Sequence, residues 1–291
     1  MSSGRQSDAK DAIEVFCWNL TPQVKAVLSG LERVLEQTLP VADAAGNYDR
    51  GEVLLKELAQ KQPRLIIVLG TQALSLTAPK IKKGLVVFAM VADPYHTGAA
   101  YNKDHPDDHQ GNIIGIASPP PLEEAIQKAG QFFPAKRHWG LLYDPAEGPS
   151  VELKQNFAAL AQAAGLKLTA LAAGSGSEAT AALKELSQKG IQVIFMPPDQ
   201  FSKNYAQHLM ALGLERRFVV VNGNPRLDRR GAVLSVTLNY EAIGEQAAQL
   251  VQRVLNGEKP GAIPIIQASP AQVEVDESLL TDWAGYPPGK N

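Results

Sequence analysis

Six short apolar runs in this chain are each followed at once by residues able to grip a small molecule. These are Trp18-Asn19-Leu20-Thr21, Gly70-Thr71-Gln72, Ala92-Asp93-Pro94-Tyr95, Tyr143-Asp144-Pro145 with Ser150 close behind, Pro198-Asp199-Gln200, and Asn222-Gly223-Asn224. Amides and hydroxyls can satisfy the donors and acceptors of a polar ligand, aromatic faces can enclose its apolar body, and carboxylates can pair an amine. The mixture suits reversible capture and supplies no obvious reaction.

Each residue also has a plainer use. Thr71 is placed to cap a helix or to touch a ligand, and one hydroxyl can do both. Asp93-Pro94 can end a strand in a turn, or Asp93 can hold an ammonium. Trp18 and Tyr143 fit a core, or face each other across a cleft. Asp199 fits a helix cap or a ligand contact, and Asn222 and Asn224 can shape a turn.

Enzyme signatures are weak. The chain has no Gly-x-Gly-x-x-Gly after a strand, no Walker-type Gly-Lys-Thr/Ser and no Gly-x-Ser-x-Gly elbow. His96, His105 and His109 with Asp104, Asp107 and Asp108 offer zinc-ligating types, but no pair sits at a spacing that fixes two ligands on one rigid element. A solvated polar loop is the expected reading, and no metal or cofactor is expected. Lys80, Lys82 and Lys83 read as a solvated face. Arg226, Asp228, Arg229 and Arg230 read as a surface loop, although Arg226 near Asn222 can reach an anion.

The elements that must position these residues follow one repeating unit of apolar run, turn and amphipathic stretch, the pattern of βαβ units around parallel sheets. Strands are expected at 13–18, 65–69, 85–90, 113–117, 138–143, 167–172, 192–196, 218–221 and 233–237. Helical spacing of Val24, Val27, Leu28, Leu31, Val34 and Leu35, and of Ile243, Ala247, Leu250, Val251 and Val254, marks two of the intervening helices. In open parallel sheets ligands bind beyond the carboxyl ends of the strands, where these polar residues stand. Residues 95–112 form a long polar loop, and Pro119-Pro120-Pro121 stiffens a crossover between two halves.

At 291 residues the chain is long enough for two domains, and 45% hydrophobic with 20% charged residues is an ordinary globular balance. A net charge of −2 argues against a partner bound through bulk positive charge, and nucleic acid is not expected. The lone Cys17 cannot close an intramolecular disulfide. The polar start lacks the apolar core of a signal peptide, so residues 1–10 read as a tag remnant or a disordered N-terminus ahead of a mature domain.

A resemblance runs from Ile13 to Trp283. It is carried by Leu69-Gly70-Thr71-Gln72-Ala73, by Val87-Phe88-Ala89-Met90-Val91-Ala92-Asp93-Pro94, by Gly111-Asn112-Ile113-Ile114-Gly115, and by Phe133-Pro134-Ala135-Lys136-Arg137. Ser150, the Phe195–Asp199 strand end, Gly231-Ala232-Val233, Asn239-Tyr240 with Gly244, and Asn256-Gly257-Glu258-Lys259-Pro260 continue it. In order and spacing these resemble the substrate-binding proteins of ABC transporters with a type I periplasmic-binding fold, the group that includes binders of tryptophan and related amino acids. The residues 95–112 insertion departs from the short turn usual there.

The resemblance implies an α/β fold of two Rossmann-like lobes with parallel sheets and a three-crossing hinge near Ser118, Thr237 and Ile265. Lobe one would take residues 11–117 plus 238–264, and lobe two 118–237 plus 265–288. It implies Thr71, Gln72, Asp93, Tyr143, Ser150 and Asp199 as cleft residues; the strand-end reading adds Trp18, Asn19, Thr21, Ala92, Tyr95 and Asn222. The expected protein is a monomeric, non-enzymatic receptor, periplasmic, lipid-anchored at the cell surface or secreted. It would close on a small polar ligand and deliver it to a membrane permease. A ligand-sensing domain of a regulator and a metal-dependent enzyme using the histidine loop are the alternatives.

Overall fold

The computed structural model describes residues 12–199, 201–225 and 231–284. The expectations for residues 1–10, for Arg226, Asp228, Arg229 and Arg230, and for 285–288 lie outside these. The chain forms two compact units. Unit 1 holds the chain through Pro119 together with Asn239–Pro270; unit 2 holds Pro120–Leu238 and the chain from Ala271 on.

Unit 1 is built on a six-stranded, all-parallel sheet in the order β11-β5-β4-β3-β1-β2. Its strands are β1 (Ile13–Cys17), β2 (Val41–Asp43), β3 (Leu65–Leu69), β4 (Leu85–Val91), β5 (Ile113–Ala117) and β11 (Ile266–Gln267). β1, β3 and β5 are buried at every position, which explains why they read as continuous apolar runs rather than alternating ones. Helices α1 (Pro22–Leu35), α2 (Tyr48–Lys61), α3 (Thr71–Thr77) and α8 (Tyr240–Leu255) cover it. Thr21 starts α1, its Oγ1 accepting a hydrogen bond from the Val24 amide, with Pro22 at the first helical position where no N–H is needed. α1 and α8 cross at two glycines. A methyl group on Gly30 would lie 2.2 Å from the Glu241 carbonyl, and one on Gly244 would lie 2.1 Å from that of Val27.

Unit 2 carries β6 (His138–Tyr143), β7 (Lys167–Ala172), β8 (Val193–Met196), β9 (Val219–Asn222), β10 (Leu234–Leu238) and β12 (Ala271–Val275) in the order β12-β10-β9-β8-β6-β7. Its helices are α4 (Leu122–Phe132), α5 (Gly148–Ala163), α6 (Gly176–Gln188), α7 (Ala206–Arg216) and α9 (Glu277–Ala284). Two apolar clusters cover its two faces. In one, Phe157 stacks on Phe195 with centroids 4.7 Å apart and leans on Trp139 at 5.9 Å.

Both sheets are built of parallel pairs as expected, with one antiparallel addition: in unit 2 β12 runs antiparallel to β10, with Ala271 opposite Leu238. The chain leaves unit 2 at the carboxyl end of β10 and re-enters beside that point, so the returning strand can only run back along it. The last change of unit falls after Pro270 rather than at 264/265, because β11 pairs with β5 of unit 1.

Candidate functional site

The carboxyl ends of the strands in unit 1 bring together Trp18, Asn19 and Thr21 after β1, Thr71 and Gln72 after β3, and Ala92, Asp93 and Tyr95 after β4. Trp18, Thr21, Thr71, Asp93 and Tyr95 are half-buried, while Asn19, Gln72 and Ala92 are exposed. Thr71 is not the cap of α3. Gly70 takes that place at φ +102°, a value L side chains rarely adopt, and Thr71 becomes the first helical residue. Just before Asp93, β4 shifts register between Phe88 and Val91, and Met90 sits at φ +59°. A left-handed non-glycine residue at a strand end is strain held by its surroundings, and here it sets the direction of the Ala92–Tyr95 segment.

Asp93 is already engaged. Its Oδ1 accepts from the Tyr95 amide at 2.8 Å, and its Oδ2 lies 2.5 Å from Lys103 Nζ and 3.2 Å from His96 Nδ1. Burial pushes its pKa up, but the Lys103 hydrogen bond and charge, the Tyr95 amide and the nearby His96 ring outweigh that and leave it below the usual carboxylate value. Lys103 went unrecognised in the sequence because nine residues of loop separate it from Asp93.

The loop that carries Lys103 is not a solvated strand of polar residues. Thr97, Ala99, Ala100 and His109 are buried, and Ala100 bridges His109. His109 Nε2 lies 2.8 Å from the Ile263 carbonyl and Nδ1 lies 3.1 Å from that of Gln110, while Ile265 donates its amide to the Pro106 carbonyl. The loop therefore belongs to the framework of unit 1, and His109 is held by carbonyls rather than offered to a metal. His96 stands exposed beside Asp93.

In unit 2 the strand ends converge on Asp199. Ser150, fully buried in the first turn of α5, donates from Oγ to Asp199 Oδ2 at 2.9 Å and accepts from the Asp144 amide at 3.0 Å. The Ser202 amide, in the short 3-10 turn Phe201–Asn204, donates to Asp199 Oδ1 at 2.8 Å. Asn224 Nδ2 reaches both the Asp199 carbonyl and Ser202 Oγ, at 3.0 and 2.7 Å. Asn222 is buried, with its amide on Ser235 Oγ and its carbonyl oxygen accepting the Asn224 N–H. Ser202 was missed, although Asp-x-x-Ser is the spacing of a cap whose side chain accepts an amide three residues on. Tyr143 is half-buried with Lys154 Nζ 5.2 Å over its ring.

The electrostatics of Asp199 are the reverse of those of Asp93. Burial pushes its pKa up, the hydrogen bonds from Ser202 and Ser150 pull it down by less, and Asp144 pushes it up again. Among the described residues no cationic side chain pairs with it. Among the described residues the hydroxyl of Tyr205, on a residue 2% exposed, has no hydrogen-bond partner, and burial together with the Asp199 charge drives its pKa well above the ordinary phenol value.

The strand ends array donors, acceptors, rings and carboxylates on rigid sheets, an arrangement able to bind a small polar molecule. The chain is 20% identical over 216 residues to a tyrosine-binding protein of Clostridioides difficile; the match takes in 74% of this chain and 61% of that relative's length. The ligand-free, open structure of CD0873, a substrate-binding protein with adhesive properties from Clostridium difficile, matches with a TM-score of 0.83 at 18% identity, over 97% of each chain. An ABC domain in complex with L-Trp from Streptococcus pneumonia matches with a TM-score of 0.69, also at 18% identity, over 94% of each chain. These likenesses fix a type I periplasmic-binding fold. Residues 28–282 match the model of the ABC transporter substrate binding protein family, and the chain belongs to that family.

Proposed function

We propose that this chain is the extracytoplasmic receptor of an ABC importer, taking an amino acid or a closely related small polar molecule and handing it to a membrane permease. The observation that carries this reading is the character of the strand ends. In both units they present hydrogen-bonding and aromatic side chains, in a member of the substrate-binding family. The tyrosine-binding relative and the L-Trp-bound neighbour support the amino-acid class. Trp18, Asn19, Thr21, Thr71, Gln72, Ala92 and Tyr95 supply the contacts of unit 1, and Tyr143, Ser150, Asp199 and Asn222 supply or position those of unit 2. The ligand docks on one unit and the other closes over it, the crossing segments absorbing the rotation, and loss of water strengthens each hydrogen bond. The receptor works as a monomer.

Isothermal calorimetry with the twenty amino acids, nucleosides and simple sugars tests the proposal, together with small-angle scattering with and without the best binder. One saturable ligand and a smaller radius of gyration on binding are expected. Absence of any saturable binder overturns it.

A further inference from the structure

The receptor reading leaves the lysines at 80, 82 and 83 unused. They do more than face solvent: with the last turns of α2 they enclose a depression of about 450 Å³ at the amino-terminal edge of the unit 1 sheet, the end opposite Thr71 and Asp93. Its floor is apolar and recessed. Leu58, Ile66 and Ile81 are each 5% exposed or less, with Ala59 and Leu85 beside them. A second depression of about 430 Å³ continues it along α2, sharing Ala59, Lys80 and Ile81 and adding Val53 and Lys56. The wall is braced: Asn112 Nδ2 donates to the carbonyls of Ile81 and Gly84, both at 3.0 Å, and Gln110 Nε2 to that of Ala78 at 3.2 Å, so the lysine loop is held in place before any ligand arrives. Charge on the rim is one-sided. Lys80 pairs with Glu52, while Lys82 Nζ donates to the Ala78 carbonyl and the Gln110 side-chain oxygen at 2.9 and 3.1 Å. Among the described residues no carboxylate pairs with Lys56, Lys82 or Lys83.

We propose that this groove is a second ligand site, for a free single-chain amphiphile with an anionic head, such as a medium-chain carboxylate. The chain lies along the floor and the head meets the rim lysines. An apolar floor under a cationic rim matches both parts of such a molecule. The recessed floor also decides between a free molecule and a membrane: a flat bilayer surface would touch the lysines without reaching Ile66 or Ile81, whereas one chain can enter. The groove is built from unit 1 alone, at the far end of its sheet from the polar strand ends. Its occupancy does not exclude a ligand there, and the assignment stands or falls apart from the receptor reading.

The test is calorimetry on the full chain with decanoate and with decyltrimethylammonium, which carries the same chain on a cationic head, both below their micelle-forming concentrations. Decanoate binds saturably and at least about tenfold more tightly than the cation, and its affinity falls as salt rises. Ala59→Phe places a ring where the two depressions meet, and the double variant Lys56→Glu/Lys83→Glu reverses two rim charges. Each lowers decanoate affinity by at least about fivefold. Thermal unfolding checks that both fold, and the double variant, which alters only exposed side chains, carries the test should Ala59→Phe not fold. No saturable decanoate binding, equal binding of the cation, or a decanoate affinity unmoved by the double variant overturns the assignment. Sedimentation with phosphatidylglycerol vesicles is the membrane arm. Little co-sedimentation is expected; strong co-sedimentation that the double variant abolishes makes the occupant a membrane surface and overturns the free-ligand assignment.

Discussion

Ser150 Oγ lies 2.9 Å from Asp199 Oδ2 and 3.0 Å from the amide of Asp144, so one buried hydroxyl ties two strand ends of unit 2 together. The direction of the bonds matters. Because the serine donates to the carboxylate, it favours the ionised form of an acid that burial pushes the other way. Ser150→Ala should raise the Asp199 pKa further and cost about 1 kcal/mol of stability through the lost bonds. Carboxyl NMR titration of wild type and variant reads the first effect directly, and an unmoved Asp199 midpoint would contradict it.

Asp199 also makes a prediction about stability against pH. Its pKa in the fold lies above the ordinary 3.8, so the folded chain holds this proton more tightly than the unfolded chain. The stabilisation is complete below the unfolded value and is lost as pH rises through the folded value, leaving an ionised group that opposes folding at neutral pH. Asp199→Asn should therefore unfold at a higher temperature than wild type at pH 7, with the difference shrinking below pH 4. A lower melting temperature at pH 7 would show that the hydrogen bonds to the carboxylate outweigh its burial.

Asp93 behaves oppositely. With Lys103 and the Tyr95 amide holding its pKa below 3.8, it supports the fold above the unfolded carboxyl value, and that support disappears as pH falls through the folded value. Lys103→Met should bring the Asp93 midpoint up and destabilise the protein at pH 7 but not at pH 2. Urea melts at the two pH values check this, with equal destabilisation at both as the disproving result.

The crossing of α1 and α8 leaves no room for a side chain at Gly30 or Gly244, where the added atom would meet backbone rather than a movable rotamer. Gly244→Ala should cost at least about 2 kcal/mol by forcing the helices apart, despite the better helix propensity of alanine. Denaturant unfolding measures it; a neutral or stabilising result would mean that the two helices can slide.

His109 joins residues 95–112 to the segment after α8 through the Ile263 carbonyl. His109→Ala should expose that loop to limited proteolysis and cost about 1–3 kcal/mol, the penalty for stranding buried carbonyls. Zinc should have no protective effect on the wild type, since the ring is already committed.

Nine strands of the two sheets could be placed from apolar runs, each within about a residue or two of its observed ends; eight of them are mostly buried and read as continuous apolar runs, while β7, a partly exposed edge strand, was legible from Leu168, Ala170, Leu171 and Ala172. The three that escaped are edge strands. β2 has three residues and begins at the exposed Val41; β11 has two; β12 is half-exposed and reads Ala-Gln-Val-Glu-Val, an alternation that could have revealed it. Antiparallel pairing of β12 was not legible, since it follows from where the chain re-enters unit 2. At the strand ends, residue type put Asp93, Ser150 and Asp199 forward as candidates, but could not say which carboxylate already has an ion-pair partner. That depends on Lys103, which only the folding of a packed loop brings back to Asp93.

The pairing of α1 with α8 has a bearing on how the protein is made. α1 leaves the ribosome about two hundred residues before its partner, which ends at Leu255, and the edge strand β11 follows only at Gln267, so unit 1 cannot be completed until all of unit 2 up to Leu238 has been made. Throughout that interval the apolar stripe of α1, with Val27 and Leu31, has nothing to cover it, a condition that invites capture by chaperones or by other unfinished chains. A polypeptide halted at Leu238 would thus carry all of the first half of the sequence and still be unable to bury it, and the order of translation keeps the early unit open until the late segment arrives.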